Sequence, residues 1–301
     1  MTAFAARAPG KVNLCLYLGP RRDDGRHELV SVVQSVSLAD ELVLERAPPG
    51  ASRDIVECPG ILEPNLAALA LDAFRARTGW TEPPQHLLIR KLVPVAGGMG
   101  GGSGDAAAAL RLAATRAEIE DEALLLDLAS ALGADVPAQV RPGRSLVGGA
   151  GERVERLPDP PPFGILILPS LRRLSTAEVY AEADRLGLGR DHAALEAALE
   201  AVRASLAADR LDPALMMNEL EPAAVSLCPE LDEAIETARE LGAEVAMVSG
   251  SGPTVFGVFT GADGPVRATR AGRALSRRDP TPVAVTPVGE EFGLPAPLAA
   301  S

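Results

Sequence analysis

Apolar and polar positions alternate over residues 12–18, with Val12, Leu14, Leu16 and Leu18 on one side and Asn13, Cys15 and Tyr17 on the other. A period of two predicts a half-buried strand there, and similar patterning predicts strands at 29–36 and 41–44 with the charged loop 21–27 between. Asn65 stands where it would cap a helix through Arg77, stopped near Gly79. A strand at 87–93 follows, then helices at 106–116 and 121–132, the second ended by Gly133, and a closing hairpin at 145–151 and 154–157. Pro158-Asp-Pro-Pro-Pro162 breaks the pattern. It divides an expected first domain, 1–157, from a second, 163–288. In the second, 163–168 predicts a strand and Ser175-Thr-Ala-Glu178 a capping box opening a helix to about Leu186. Helices near 191–208, 212–226 and 229–241 follow, then strands at 245–248 and 255–259, a helix near 265–277 and a strand at 281–286. Residues 289–301 read as a loose tail. The mixture predicts an α+β protein of two layered domains and not a doubly wound parallel sheet.

One segment does not fit this apolar patterning. Between the strand at 87–93 and the helix at 106–116 lies Lys91-Leu-Val-Pro-Val-Ala-Gly-Gly-Met-Gly-Gly-Gly-Ser-Gly-Asp105. Glycines without Cβ atoms let backbone N–H groups turn inward on a ligand, and a following helix adds its unpaired N–H groups and positive dipole end. Strand, glycine loop and helix start together make an anion site, most often for phosphate. The loop lacks the Gly-Lys-Ser/Thr ending of a P-loop, since the one Gly-Lys pair, Gly10-Lys11, precedes Val12. It also fails the dinucleotide pattern, because Met99 and Ser103 occupy required glycines. A flexible linker is the plain alternative, but linkers rarely join an apolar strand to an alanine-rich helix.

Composition narrows the picture further. A 301-residue chain can bury two cores, and its net charge of −12 argues against nucleic acid or an anionic membrane as partner. Three separated cysteines, Cys15, Cys58 and Cys228, fit free thiols in a reducing cytoplasm rather than disulfides or zinc. The N-terminus carries no apolar signal-peptide stretch. Of 29 basic side chains only Lys11 and Lys91 are lysine. Keeping an ammonium against so strong an arginine bias suggests work for a compact point charge.

Besides the glycine loop, three polar segments interrupt the apolar pattern: Pro9-Gly-Lys-Val-Asn13, Gly133-Ala-Asp-Val-Pro137 and Ser249-Gly-Ser-Gly-Pro-Thr254. Phosphoryl transfer needs a phosphate cradle, charge neutralisation and a carboxylate for the accepting hydroxyl. The chain offers each, although spacing alone does not bring them together. Asp135 read alone could equally cap the helix beginning at Val136, Lys91 could be a solvated strand residue, and Ser249–Pro253 a plain turn. His86 and His192 are assigned no function.

With Asp24-Gly-Arg-His27, these segments resemble the GHMP kinase superfamily. Its hallmarks are an N-terminal Pro-x-Lys/Arg-x-Asn strand, a glycine–serine loop after proline and a late Gly-x-Gly segment. The Gly-Ala-Asp-Val-Pro and Asp-Gly-x-His segments are similar to those of its branch acting on a cytidine-diphosphate-linked methylerythritol. Ser175-Thr-Ala-Glu-Val-Tyr180 and Asn218-Glu-Leu-Glu-Pro222 match less specifically. The resemblance spans roughly residues 6 to 288. It implies an N-terminal domain like the second domain of ribosomal protein S5, a ferredoxin-like C-terminal domain, and an active site between them. It implies Asp135 as general base with Lys11 beside it. ATP would lie along Lys91, Pro94, Val95, Ala96, Gly97, Gly98, Met99, Gly100, Gly101, Gly102, Ser103 and Gly104, with Ser103 reaching Mg²⁺ or a phosphate oxygen.

The resemblance further implies that Asn13, Arg26, His27, Thr176, Gly250, Ser251 and Gly252 meet the substrate. Arg26 stands where relatives usually carry tyrosine, and its guanidinium plane can also stack on a base. Gly104 replaces a usual serine or alanine. The expected protein is a monomer or weak homodimer. Another small-molecule kinase of the superfamily, for homoserine or a mevalonate derivative, is the alternative reading, and a catalytically silent nucleotide-binding regulator is a third. A nicotinamide oxidoreductase fits least well.

Overall fold

The computed structural model describes residues 2–61, 65–208 and 211–298. In chain order the elements are β1 (Phe4–Arg21), β2 (His27–Arg46), β3 (Ile55–Glu57), α1 (Leu66–Thr78), β4 (Gln85–Arg90), α2 (Gly101–Ala117), α3 (Glu122–Leu132), α4 (Val136–Val140), β5 (Arg144–Gly148) and β6 (Arg153–Leu157). Then come β7 (Gly164–Leu168), α5 (Thr176–Leu186), α6 (His192–Leu206), α7 (Glu221–Leu227), α8 (Glu230–Glu240), β8 (Val245–Val248), β9 (Val255–Phe259), α9 (Gly264–Ala274), β10 (Val283–Val285) and β11 (Ala296–Pro297).

Two sheets organise these elements. The first runs β11-β1-β2-β4-β3, with β5 on the early half of β2 and β6 beyond it. The second, β10-β7-β9-β8, is antiparallel throughout. Long β1 and β2 carry the first sheet against the second domain, so residues 8–19 are buried and not half-exposed. Both faces of β1 find apolar partners: Leu16 and Leu18 pack with α5, α7 and α8, while Val12, Leu14, Cys15 and Tyr17 pack with β7 and α6.

The alanine run of α2 is buried nearly all round, as expected of a helix enclosed by other elements. Small side chains let it lie close to α1 and β1 at once. Gly104 is where this contact is tightest, since a Cβ there would stand 3.2 Å from the carbonyl oxygen of Pro9.

Several expectations required correction. Helix α2 starts at Gly101, five positions before the apolar run, so half of the glycine loop is its first turn. Strand β4 ends at Arg90 because the buried Asp40 carboxylate takes the N–H groups of Leu92 and Val93, turning the chain away. The helix expected at 212–226 is broken into a short turn, Pro213–Leu215, and α7. Asn218 lies in the break and bonds across to the carbonyls of Val248 and Gly250. Ser175 precedes α5 but makes no side-chain cap bond. The supposed loose tail is tied down over residues 289–298, its last three residues lying outside the described ones: Ala296 and Pro297 pair with β1, and Arg7 lies 4.8 Å over the ring of Phe292.

Candidate active site

A cavity of about 1010 Å³ opens between the two sheets' domains. One wall is the glycine loop with the first turn of α2. Ala96 (φ 55°), Gly98 (φ 75°) and Gly100 (φ 65°) alternate into the left-handed region, a succession that turns backbone N–H groups to one side as an anion nest. Only glycine fits at 98, because a Cβ would lie 2.3 Å from the carbonyl of Ser249. The first helical N–H paired within this turn is that of Gly104, to Gly100. The N–H groups of Gly101, Gly102 and Ser103 therefore remain for a ligand, at the positive end of a 17-residue helix. All three residues line the cavity.

Facing that wall, Lys11 and Asp135 meet at 3.5 Å. Irregularities in the β1–β2 register flank Lys11 and Asn13, placing both side chains toward the cavity. The Lys11 side chain is buried to 5% exposure, and its ammonium donates to Asn13 Oδ1 at 2.8 Å. Asn13 Nδ2 donates in turn to Ser31 Oγ, and Ser31 Oγ to the carbonyl of Cys15. Asp135 is the N-cap of α4, yet its carboxylate makes no capping bond and stays half-exposed at the cavity. A chain-forming role is thus taken by Pro137 in the first turn, leaving the carboxylate for other work.

At the other end His27 is buried, its Nε2 2.7 Å from Asp184 Oδ1 and its ring 5.3 Å from that of Tyr180. Burial, assisted by the charge of Asp135, pushes the Tyr180 hydroxyl up to about 12. Thr176 Oγ1 lies 3.0 Å from Ser251 Oγ, so the start of α5 and the 249–252 loop close this side together.

Not every expected residue faces the cavity. Met99 is fully buried and packs with the core around β1, Gly104 abuts Pro9, and Gly252 abuts Val248, so none of these three lines it. Lys91 lines it but is not a free cation. Its ammonium is held by Asp40 and, at 2.7 Å, by Asp105. Burial pulls the Lys91 ammonium down, but the two carboxylates outweigh it and raise it overall. Arg26 lines the cavity with one edge of its guanidinium held by Asp24, its Nη2 at 3.0 Å. Tyr180 brings the aromatic ring that the loop lacks. The chain has only two tyrosines, so one placed a helical turn beyond Thr176 was a usable signal. Asp184, one turn further on, had no signal of its own.

Comparison with known proteins is decisive at this point. Residues 65–143 match the GHMP kinases N terminal domain, and residues 194–280 match the model described as GHMP kinases C terminal. The 4-diphosphocytidyl-2-C-methyl-D-erythritol kinase of Streptomyces coelicolor is 40% identical over 86% of this chain and 89% of its own length. That of Pelotomaculum thermopropionicum is 39% identical over 85% and 88%. The chain belongs to the 4-diphosphocytidyl-2-C-methyl-D-erythritol kinase family. A crystal structure of a 4-(cytidine 5'-diphospho)-2C-methyl-D-erythritol kinase superposes with TM-score 0.77 at 34% identity, covering 95% of this chain and 99% of that one. Homoserine kinase from Cytophaga hutchinsonii reaches TM-score 0.75 at only 19% identity, a likeness of fold alone. The fold is therefore the two-domain α+β GHMP kinase fold of this family.

Proposed function

We propose that this chain transfers the terminal phosphoryl group of ATP to the 2-hydroxyl of 4-diphosphocytidyl-2-C-methyl-D-erythritol in isoprenoid precursor synthesis. The observation carrying this reading is that the Lys11–Asp135 pair and the open N–H groups of α2 share one cavity. Its roughly 1010 Å³ is at the upper end of ordinary ligand pockets, room for two ligands laid end to end.

In this reading Asp135 Oδ2 accepts the proton of the attacking hydroxyl. Lys11, fixed by Asn13, lies beside that carboxylate and steadies the charge growing on the hydroxyl oxygen. The N–H groups of Gly101, Gly102 and Ser103 take charge building on the transferred phosphoryl oxygens. Mg²⁺ bound with the nucleotide would neutralise further charge there, and Ser103, which lines the cavity, would be the side chain to meet it. Among the described residues no group of three or more acidic, histidine or cysteine side chains could hold a metal ion. Tyr180 and His27 hold the base, with Thr176 and Ser251 toward its phosphates. The three free thiols and the acidic charge suit a cytoplasmic enzyme, a monomer or weak homodimer, acting without nucleic acid or membrane. No described helix is long and apolar enough to cross a membrane.

The testing experiment is a phosphoryl-transfer assay with purified protein, ATP·Mg²⁺ and separate acceptors: the cytidine compound, homoserine and mevalonate. Turnover confined to the cytidine compound and competed by CDP supports the reading. Preferential turnover of homoserine or mevalonate would replace it.

A further inference from the structure

The segment that follows the second domain returns to the first and grips the far end of the helix carrying Asp135. The turn at Glu290–Gly293 does so twice. The carbonyl of Gly293 accepts from Arg111 Nε at 3.1 Å, while Arg111 Nη1 donates to the carbonyls of Gln139 (2.6 Å) and Val140 (3.3 Å) and Nη2 to that of Arg7 (3.0 Å). Gln139 and Val140 are the last residues of α4, whose terminal carbonyls have no intrahelical partner. Glu290 meanwhile forms a two-point contact with Arg141, the C-cap of α4, at 3.0 and 2.7 Å.

Helix α4 has only five residues, so it spans roughly 7.5 Å and moves as one piece. Asp135 sits at its start with no side-chain bond to the helix backbone. The Gln139 side chain is also tied to Ser35 and Pro9 and α4 packs on α2 and α3, so the bonds at its carbonyl end complete the frame that sets where the carboxylate stands relative to Lys11.

We propose that residues 289–297 form a strap that positions Asp135, with Arg111, Arg141 and Glu290 as positioning residues acting through α4. This rests on reading Asp135 as the base. Misplacing a catalytic group by about 1 Å is enough to cost up to 10²-fold in rate.

The test is a double-mutant cycle in the full-length chain. Glu290→Gln removes the carboxylate's charge at a pair that is 37% and 41% exposed, so its melting temperature should stay close to wild type. The expected result is kcat lowered roughly 10-fold with KM for ATP and for the cytidine substrate unchanged. In an Asp135→Asn background the same substitution should lower kcat no further, because the group it positions has gone. Arg111→Lys, which keeps the charge but not the fork of donors, should show a larger loss with the same masking. Wild-type kcat in both single variants, or losses that multiply in the double variants, would overturn the strap and leave the base assignment standing. Wild-type turnover of Asp135→Asn itself would remove the base assignment and the strap together.

Discussion

The chain's two lysines face aspartates on opposite sides of one glycine loop, and the two settings differ in a way that separates chemistry from architecture. Lys91 is paired with both Asp40 and Asp105, whose side chains are 0% and 4% exposed, and its ammonium donates to each. Lys11 is deeper still, 5% exposed against 13%, but its aspartate stands half-exposed at the cavity and touches it at only 3.5 Å. A closed ion cluster locks β2, the end of β4 and the start of α2 to one another. An open pair leaves a carboxylate lone pair and an ammonium proton for a third party. Opposite charge alone is common to both, so access is what marks the reactive pair.

That contrast can be broken at several points. Replacing Lys91 by methionine strands two buried carboxylates, and we expect a loss of about 3–5 kcal/mol in folding stability, read by denaturant titration. A change under about 1 kcal/mol would show the cluster to be ornamental. Lys11→Met should cost roughly 10²–10³ in kcat with the fold and ATP binding largely kept, since it removes a donor from the charge that develops in reaction. A variant that loses only stability would place Lys11 with Lys91 as architecture.

A subtler test uses pH. Burial, opposed by Lys91 and assisted by the charge of Asp40, pushes the Asp105 carboxyl up to about 7 from 3.8. Between about pH 4 and 7 the folded state then keeps a proton that the unfolded chain releases, so this group's contribution falls as pH rises across that window. Asp105→Asn should flatten that decline in a series of melting temperatures, and a decline of unchanged slope would contradict the assignment. The smallest effect is expected at the far end of the cavity. His27→Ala should raise KM for the cytidine substrate about 10-fold with kcat little changed, as for binding shared by ground and transition states. An unaltered KM would take the His27–Asp184 pair out of the substrate's path.

The secondary structure was legible wherever local chemistry decided it. Asn65 and Asp121 cap α1 and α3 through their side chains, accepting from Ala67 N and Leu124 N. It was misread where tertiary contacts decide. Asp40, far away in sequence, ends β4, and Asn218 breaks the helix expected at 212–226 by bonding to the loop after β8. The glycines at 101, 102 and 104 weigh against a helix by propensity, yet α2 begins there because its N–H groups face a cavity and its back lies on β1. The return of residues 289–297 onto β1 had no signal, since a short aperiodic stretch with two glycines and two prolines looks the same whether docked or free.

For the site the division is similar. The glycine loop announced an anion site through backbone chemistry visible in residue types alone. The meeting of Lys11 with Asp135 was not readable from spacing and rested on resemblance to a family. Lys91 was ambiguous because its two carboxylate partners lie on β2 and α2, which only the fold brings together. Arg26 was expected to offer a plane for stacking, and Asp24, two residues away, holds one edge of that guanidinium at the cavity.

The account stands on Asp135 being the carboxylate that accepts the proton, and a single substitution tests it most directly. Steady-state turnover of Asp135→Asn with ATP·Mg²⁺ and the cytidine substrate, measured beside its ATP dissociation constant, should show kcat lower by roughly 10²–10⁴ with ATP affinity nearly unchanged. Turnover within a fewfold of wild type would contradict it.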